Sequence, residues 1–275
     1  EESPGNTIGG TGVETFNKIG KQLQNAAIHY LNTHPGPGVP NGGDVKGNLL
    51  GGRTTAFGGT VARASNKVAV LIENSSSVTV GGLEPEAANS VVASAGPGVK
   101  LKGAGTRLVS LINNAIGAVA SHHGTSTEPM GNDEDGVILE EGANNNTVGG
   151  DGAQPLSAKQ LGTSTPRNTI TANGRNGILL APTAGNNNRL GGNNIFGNVR
   201  FGIDLGNDGV SLNDPLDADI GPNNLQNYPE IMSTQVVNNE LIVNFRLDSA
   251  PENSAYGMNG IFIEFFKANA SGEGE

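Results

Sequence analysis

The chain has 275 residues, room for one elongated repeat unit with an appended module, and its 43 glycines with only 4% aromatics suit a thin core rather than a wide globular one. A formal charge of −10, with no Lys or Arg cluster interleaved with aromatics, argues against nucleic acid and against anionic membrane surfaces. Cysteine is absent, which removes disulfides and thiolate metal sites, and no apolar run approaches the roughly twenty residues that cross a bilayer.

Taken in order, the chain opens on Glu1 without Met, and Asn6-Thr7-Ile8-Gly9-Gly10 already sits inside a repeated phrase, which predicts a processed piece of a longer protein. The phrase is an apolar residue followed by Gly-Gly, and it returns at Leu50, Val80, Val148 and Leu190. From Asn17 to Ile28 the spacing fits a strand pair; Phe16, Ile19, Leu23, Ala27 and Tyr30 also permit a helix, and strand is preferred. His34–Lys46 (HPGPGVPNGGDVK) is rich in Pro and Gly and reads as a loop between coils.

A second, thirteen-residue pattern then recurs. NSVVASAGPGVKL (Asn89–Leu101), NTITANGRNGILL (Asn168–Leu180) and NNIFGNVRFGIDL (Asn193–Leu205) are strong copies, with weaker ones at Gly59–Leu71 and Val109–Ser121. Each has two apolar residues eight apart: Val61/Ala69, Val91/Val99, Leu111/Val119, Ile170/Ile178 and Ile195/Ile203. Two insertions interrupt the series, His122–Gly136 and Asp151–Arg167. Such short apolar triplets are too brief for helices, and Gly and Asn punctuate them as turn residues do.

Ile170 and Ile195 stand 25 residues apart, a step suited to one coil of a solenoid. Within it, strands centre near Ile170, Ile178 and Leu190 and give three faces. Stacked coils would place like aliphatic residues over one another and let Asn at successive turns share amide hydrogen bonds. The predicted fold is all-β: a right-handed three-sheet parallel β-helix over residues 1–229, then a partial antiparallel β-sandwich module over 230–275.

Past Gly206 the repeat dissolves. Asn207–Ile231 carries Pro215, Pro222 and Pro229, which cannot donate to a ladder, so it reads as a cap and crossover. Ile231–Val237, Leu241–Leu247 and Ile261–Phe266 then read as longer alternating strands, the first two joined at Asn238-Asn239. About three strands make an incomplete sandwich with open edges.

The repeats NTIGG, NNTVGG, NTITANGRNGI and NNIFGNVRFGIDL, followed by GNDGVSLNDPLDADIGPNNLQNYPEI and FIEFF, resemble the right-handed parallel β-helix repeat regions of large secreted or surface-anchored bacterial proteins. The likeness spans most of residues 1–267. It implies a pectate-lyase-like fold, an extracellular or cell-surface location and a following immunoglobulin-like β-module. It implies no particular reaction, since this fold hosts lyases, hydrolases, adhesins and fibres.

Three groups of residues invite a chemical reading. His122 and His123, followed by Asp133, Glu134 and Asp135, are the most enzyme-like, yet all share one loop, whereas a glycosidase needs carboxylates held apart on rigid strands. The order also departs from polygalacturonase-like enzymes, where a separated acidic pair precedes Gly-His-Gly. Asp208, Asp214, Asp217 and Asp219 offer oxygen donors for calcium, although the spacing is not that of an EF-hand and short acids also cap turns. Arg175, Arg189 and Arg200 sit in repeat turns without acids on the same strand, as a lyase would need them.

These features predict a structural or adhesive shaft, with other copies of itself or the rest of a parent chain as partners. A polysaccharide lyase or hydrolase with a groove along one face is the alternative, and a trimeric phage-like spike the third. The outward row Lys100, Leu179, Asp204 is too mixed to suggest catalysis.

Overall fold

The computed structural model describes residues 7–9, 18–19, 26–33, 42–53, 60–63, 66–127, 129–150, 166–250 and 263–265. Three parallel sheets form its body. Face 1 holds Thr7–Gly9, Gly43–Lys46, Val78–Gly81, Ser110–Ile112 and Thr147–Val148. Face 2 holds Lys18–Ile19, Leu49–Leu50, Ser90–Val91, Ala115–Ile116, Asn168–Thr171 and Asn193–Phe196. Face 3 holds Ala26–Leu31, Val68–Glu73, Val99–Lys102, Val137–Glu140, Ile178–Leu180 and Ile203–Leu205. The chain visits the faces in the cycle 1, 2, 3 throughout, an arrangement compatible with a parallel β-helix.

Register turns the repeats into columns. Ile8, Val45, Val80, Leu111 and Val148 pair in sequence up face 1. Leu50, Val91, Ile116, Ile170 and Ile195 do so on face 2. Face 3 carries two columns: Ile28, Val70, Val99, Val137, Ile178, Ile203, and Tyr30, Ile72, Leu101, Leu139, Leu180, Leu205. Most of these side chains are fully buried in one continuous core. Each buried aliphatic contributes about 1.5–3 kcal/mol relative to exposure. Ile170 therefore lies directly against Ile195, and Ile178 against Ile203, as the 25-residue step requires.

Two weaker copies fall out of register. Ile116, not Leu111, continues the Val91 column, and Val137, not Val119, continues the Val99 column. The eight-residue corner is stretched there by an insertion, which spacing alone does not reveal. Val70 rather than Ala69 faces Val99, and Val61 lies outside the three faces. In the loop expected over His34–Lys46, Gly43–Lys46 is a face 1 strand; 34–41 and most of the Asp151–Arg167 insertion lie outside the described residues. Leu50-Gly51 belongs to face 2, whereas the other apolar-Gly-Gly phrases mark face 1.

Glycine at these corners is required by geometry. Gly81 has φ +91° and Gly117 φ +85°, and a Cβ on either would fall 1.8 Å from the carbonyl oxygen of Ile112 or Thr171 in the next coil.

Asparagine ladders tie the coils together at three corners. Where face 1 turns to face 2, Asn48 Nδ2 donates to Asn89 Oδ1 (3.0 Å), Asn89 to Asn114 (2.8 Å), Asn114 to Asn168 (3.1 Å) and Asn168 to Asn193 (2.9 Å). The second amide proton of each goes back to a face 1 carbonyl: Ile8, Val45, Val80, Leu111 and Val148 in turn. A second ladder runs Asn132, Asn173, Asn198 and a third Asn146, Asn188. The amide donors of this ladder are thus matched from coil to coil while the sequence step varies among 41, 25, 54 and 25 residues.

Outside face 2 lies a smaller second core of Leu49, Val61, Val92, Ala93 and Met130, with Val119 against it. Thr60–Arg63 pairs with Gly52–Arg53 and with Thr125–Ser126, so insertions from two coils join over the shaft. The doublets Leu49-Leu50 and Val91-Val92 put one aliphatic side chain into each core.

The Pro-containing segment docks on the last coil: Asn223 Oδ1 accepts the Asn188 amide at 2.9 Å, adding a rung to the third ladder. It leaves part of the stack end open, since Ile203 is 42% exposed. Beyond it, Glu230–Val237 and Glu240–Arg246 form a two-stranded antiparallel hairpin. Asn238 and Asn239 turn it with φ of +50° and +67°, as expected of a tight hairpin turn. No third strand joins among the described residues; Ile263–Phe265 is irregular, and the rest of the expected strand Ile261–Phe266 lies outside them.

Candidate functional site

The histidines and acids of the 122–136 segment separate on folding. His123 is fully buried beneath the outer layer, its Nδ1 2.7 Å from Ser90 Oγ on face 2. Ser90 Oγ accepts the Ala120 amide at 2.8 Å and lies within hydrogen-bond distance of His123 Nδ1, the ring tautomer setting which of the two donates. Burial, reinforced by the neighbouring His122, pushes the His123 imidazole down to about 4. His122 lies against it with ring centroids 4.0 Å apart and planes tilted by 53°, and is also lowered, by burial first, while the Ala88 backbone and then Glu86 oppose the effect.

Asp133 and Asp135 belong to the corner between faces 2 and 3. The Asp133 amide donates to the Ser94 carbonyl, and buried Asp135 accepts the Asn176 amide through Oδ1 at 2.9 Å. Asp135 holds a turn, and His122 senses Glu86 rather than either acid. A Ser–His contact closed to solvent can orient a loop; it cannot reach a polymer. Ser90 could not be found from sequence, because its partner lies 33 residues away across the insertion.

Of the four candidate calcium ligands, three converge. Carboxylate oxygens of Asp214, Asp217 and Asp219 lie within 4.8 Å of one another. Asp208 stands apart, lining an open depression with Val199, Arg200, Phe201 and Asp204. Both Asp214 oxygens take the Ala218 amide (3.2 and 3.1 Å), and Asp217 accepts the Asn227 amide at 2.7 Å, Gln226 Nε2 at 2.8 Å and Ser249 Oγ at 3.0 Å. Two of the three acids therefore also cap turns. Asp219 has a buried oxygen without a hydrogen bond, and burial, then Asp214 and Asp217, raise its pKa. A cation would relieve that repulsion, though calcium's six to eight oxygens would need carbonyls or water besides.

The outer side of face 3 carries charge paired across coils. Lys102 meets Glu73 at 3.0 Å, Lys100 meets Glu140 at 3.1 Å and His29 meets Glu73 at 3.1 Å. The Lys102 hydrogen bond holds Glu73 below its ordinary range. In register the outward row reads His29, Leu71, Lys100, Ile138, Leu179, Asp204, with no run of like charge. Arg175 and Arg200 stack through backbone at the adjacent corner, and Arg189 sits beside Glu264 at Gly191. No helix among the described residues is long and apolar enough to cross a membrane.

Comparison with protein-family models, with curated proteins and with solved structures finds no match for the chain. The family resemblance therefore rests on the repeats and the three parallel sheets.

Proposed function

We propose that the chain is the stiff shaft of a structural or adhesive protein of a bacterial cell surface or extracellular fibre. In this reading the three faces wind as a right-handed β-helix, the hand that parallel crossovers take almost without exception. The hairpin is the start of a β-sandwich module completed by further strands. The observation that carries the reading is where the polar groups go: Asn amides bond to Asn of the next coil, and face 3 charges pair between coils. Such groups serve the stack, and repetition of one nearest-neighbour contact yields a rod.

Uncovered strand edges at the stack end and on the hairpin are then the points where another copy or a parent chain adds strands. Light scattering and small-angle scattering test this: elongated particles that lengthen with concentration support it, and compact monomers at high concentration overturn end-to-end assembly. A fixed trimer would favour a spike, and release of unsaturated or reducing sugar ends from polysaccharides would favour an enzyme. Calcium at Asp214, Asp217 and Asp219 is proposed as a clamp on the cap, motivated by the unbonded Asp219 oxygen. An unchanged melting transition in EDTA removes it.

A further inference from the structure

The layer over face 2 is an added structure: its small sheet is drawn from two insertions, and it covers a core separate from the shaft. What joins it to the shaft at Ser121–His123 is polar and buried. His123 is seated on Ser90, His122 lies against His123, and the Ala120 amide shares the Ser90 oxygen. We infer that this joint is an acid-sensitive latch, closed while the histidine pair is neutral and released when the pair takes up protons.

Protonation changes the joint in two ways. A doubly protonated His123 can only donate, so Ser90 Oγ, which already accepts the Ala120 amide, can no longer give its own proton to the ring. Two imidazolium rings at 4.0 Å also repel each other in a site largely closed to water. Charged groups on the surrounding elements are few. Glu84 and Glu86 lie beside and on the Pro85–Ala87 turn, and Lys46 on the face 1 strand is held by Asp44 at 3.4 Å. Leu49–Leu50 and Ser90–Val91 bring none. The Ala88 backbone and then Glu86 favour charging His122, and burial outweighs them. Release of Ser121–Ser126 would detach the Thr125–Ser126 strand from Thr60–Arg63 while the shaft columns, which hold no histidine, stay paired.

Hydrogen exchange on the full chain, corrected for the intrinsic pH dependence, tests the latch. Between pH 7 and 4 the protection of residues 117–127 is expected to fall about a hundredfold, with Val99–Lys102 unchanged as the internal reference. His123→Gln should make the segment's protection independent of pH, and Ser90→Ala should lower it already at pH 7. Unchanged protection in the parent chain, or a fall that persists in both His122→Gln and His123→Gln, overturns the proposal. Should His123→Gln fail to fold, the ring C–H resonances of the parent chain decide: opening while both rings remain neutral sinks the latch, and ionisation in step with opening supports it.

Discussion

Ile178 and Leu241 are both aliphatic strand residues with aliphatic cross-strand neighbours, yet Ile178 is fully buried and Leu241 is 65% exposed. Ile178 has Val137 on one side and Ile203 on the other, and the remaining two faces close over it. Leu241 pairs with Val236 in a sheet of two strands, and among the described residues no further strand covers it. The hairpin has longer strands than any coil. Local pattern thus makes a strand in both places, and only stacking makes a core.

Substitution should expose that difference most sharply. Ile178→Ala is expected to cost about 2–5 kcal/mol, and Leu241→Ala within about 0.5 kcal/mol; urea melts of the two variants measure the gap, and equal losses would mean that the hairpin has a partner layer. Acid should act on the joint between the outer layer and face 2 and spare the hairpin. His123 has its folded pKa depressed to about 4, below the unfolded value near 6.5, so the unfolded chain binds more protons between those pH values. Stability is therefore complete above about pH 6.5 and declines as pH falls towards 4, by on the order of 3 kcal/mol. The hairpin contains no histidine and should show no such decline when followed by amide exchange.

Asn168→Ala removes the acceptor for Asn114 and the donors to Leu111 and Asn193, at a cost of about 2–3 kcal/mol for stranded buried groups. Asn239→Gly, at a positive φ in the hairpin turn, should stay within about 0.5 kcal/mol of the parent in the same melt. A small effect is expected at the outer charges too. Lys102→Ala should cost under about 1 kcal/mol and less still in high salt; a larger loss would show that face 3 charge is structural in its own right.

The inward columns were legible because two copies of uninterrupted length, Asn168–Leu180 and Asn193–Leu205, fixed the period. Asn89 and Asn193 could also be read as rungs, since they open the same phrase. The Leu111/Val119 pairing misled because an insertion had replaced the ordinary corner, and an eight-residue spacing of apolar residues arises easily by chance in a chain rich in Val and Ala. The outer core was hidden in plain doublets: Leu49-Leu50 breaks the alternation expected of a strand with one wet side. Sequence proximity brings His123 and Asp135 together on paper, whereas the corner between faces 2 and 3 carries Asp135 to Asn176. Asp208 is likewise near Asp214 in sequence but outside the group that Asp214 forms with Asp217 and Asp219.

Asn89 reaches Asn114 across 25 residues at 2.8 Å, and Asn114 reaches Asn168 across 54 residues at 3.1 Å. The rung spacing is thus indifferent to how much chain is spooled out between rungs, because each amide resets the register on arrival. A foreign peptide grafted between Ile116 and Val137 or between Val148 and Asn168 would leave the winding above and below it in step, so the molecule tolerates growth sideways as readily as growth in length.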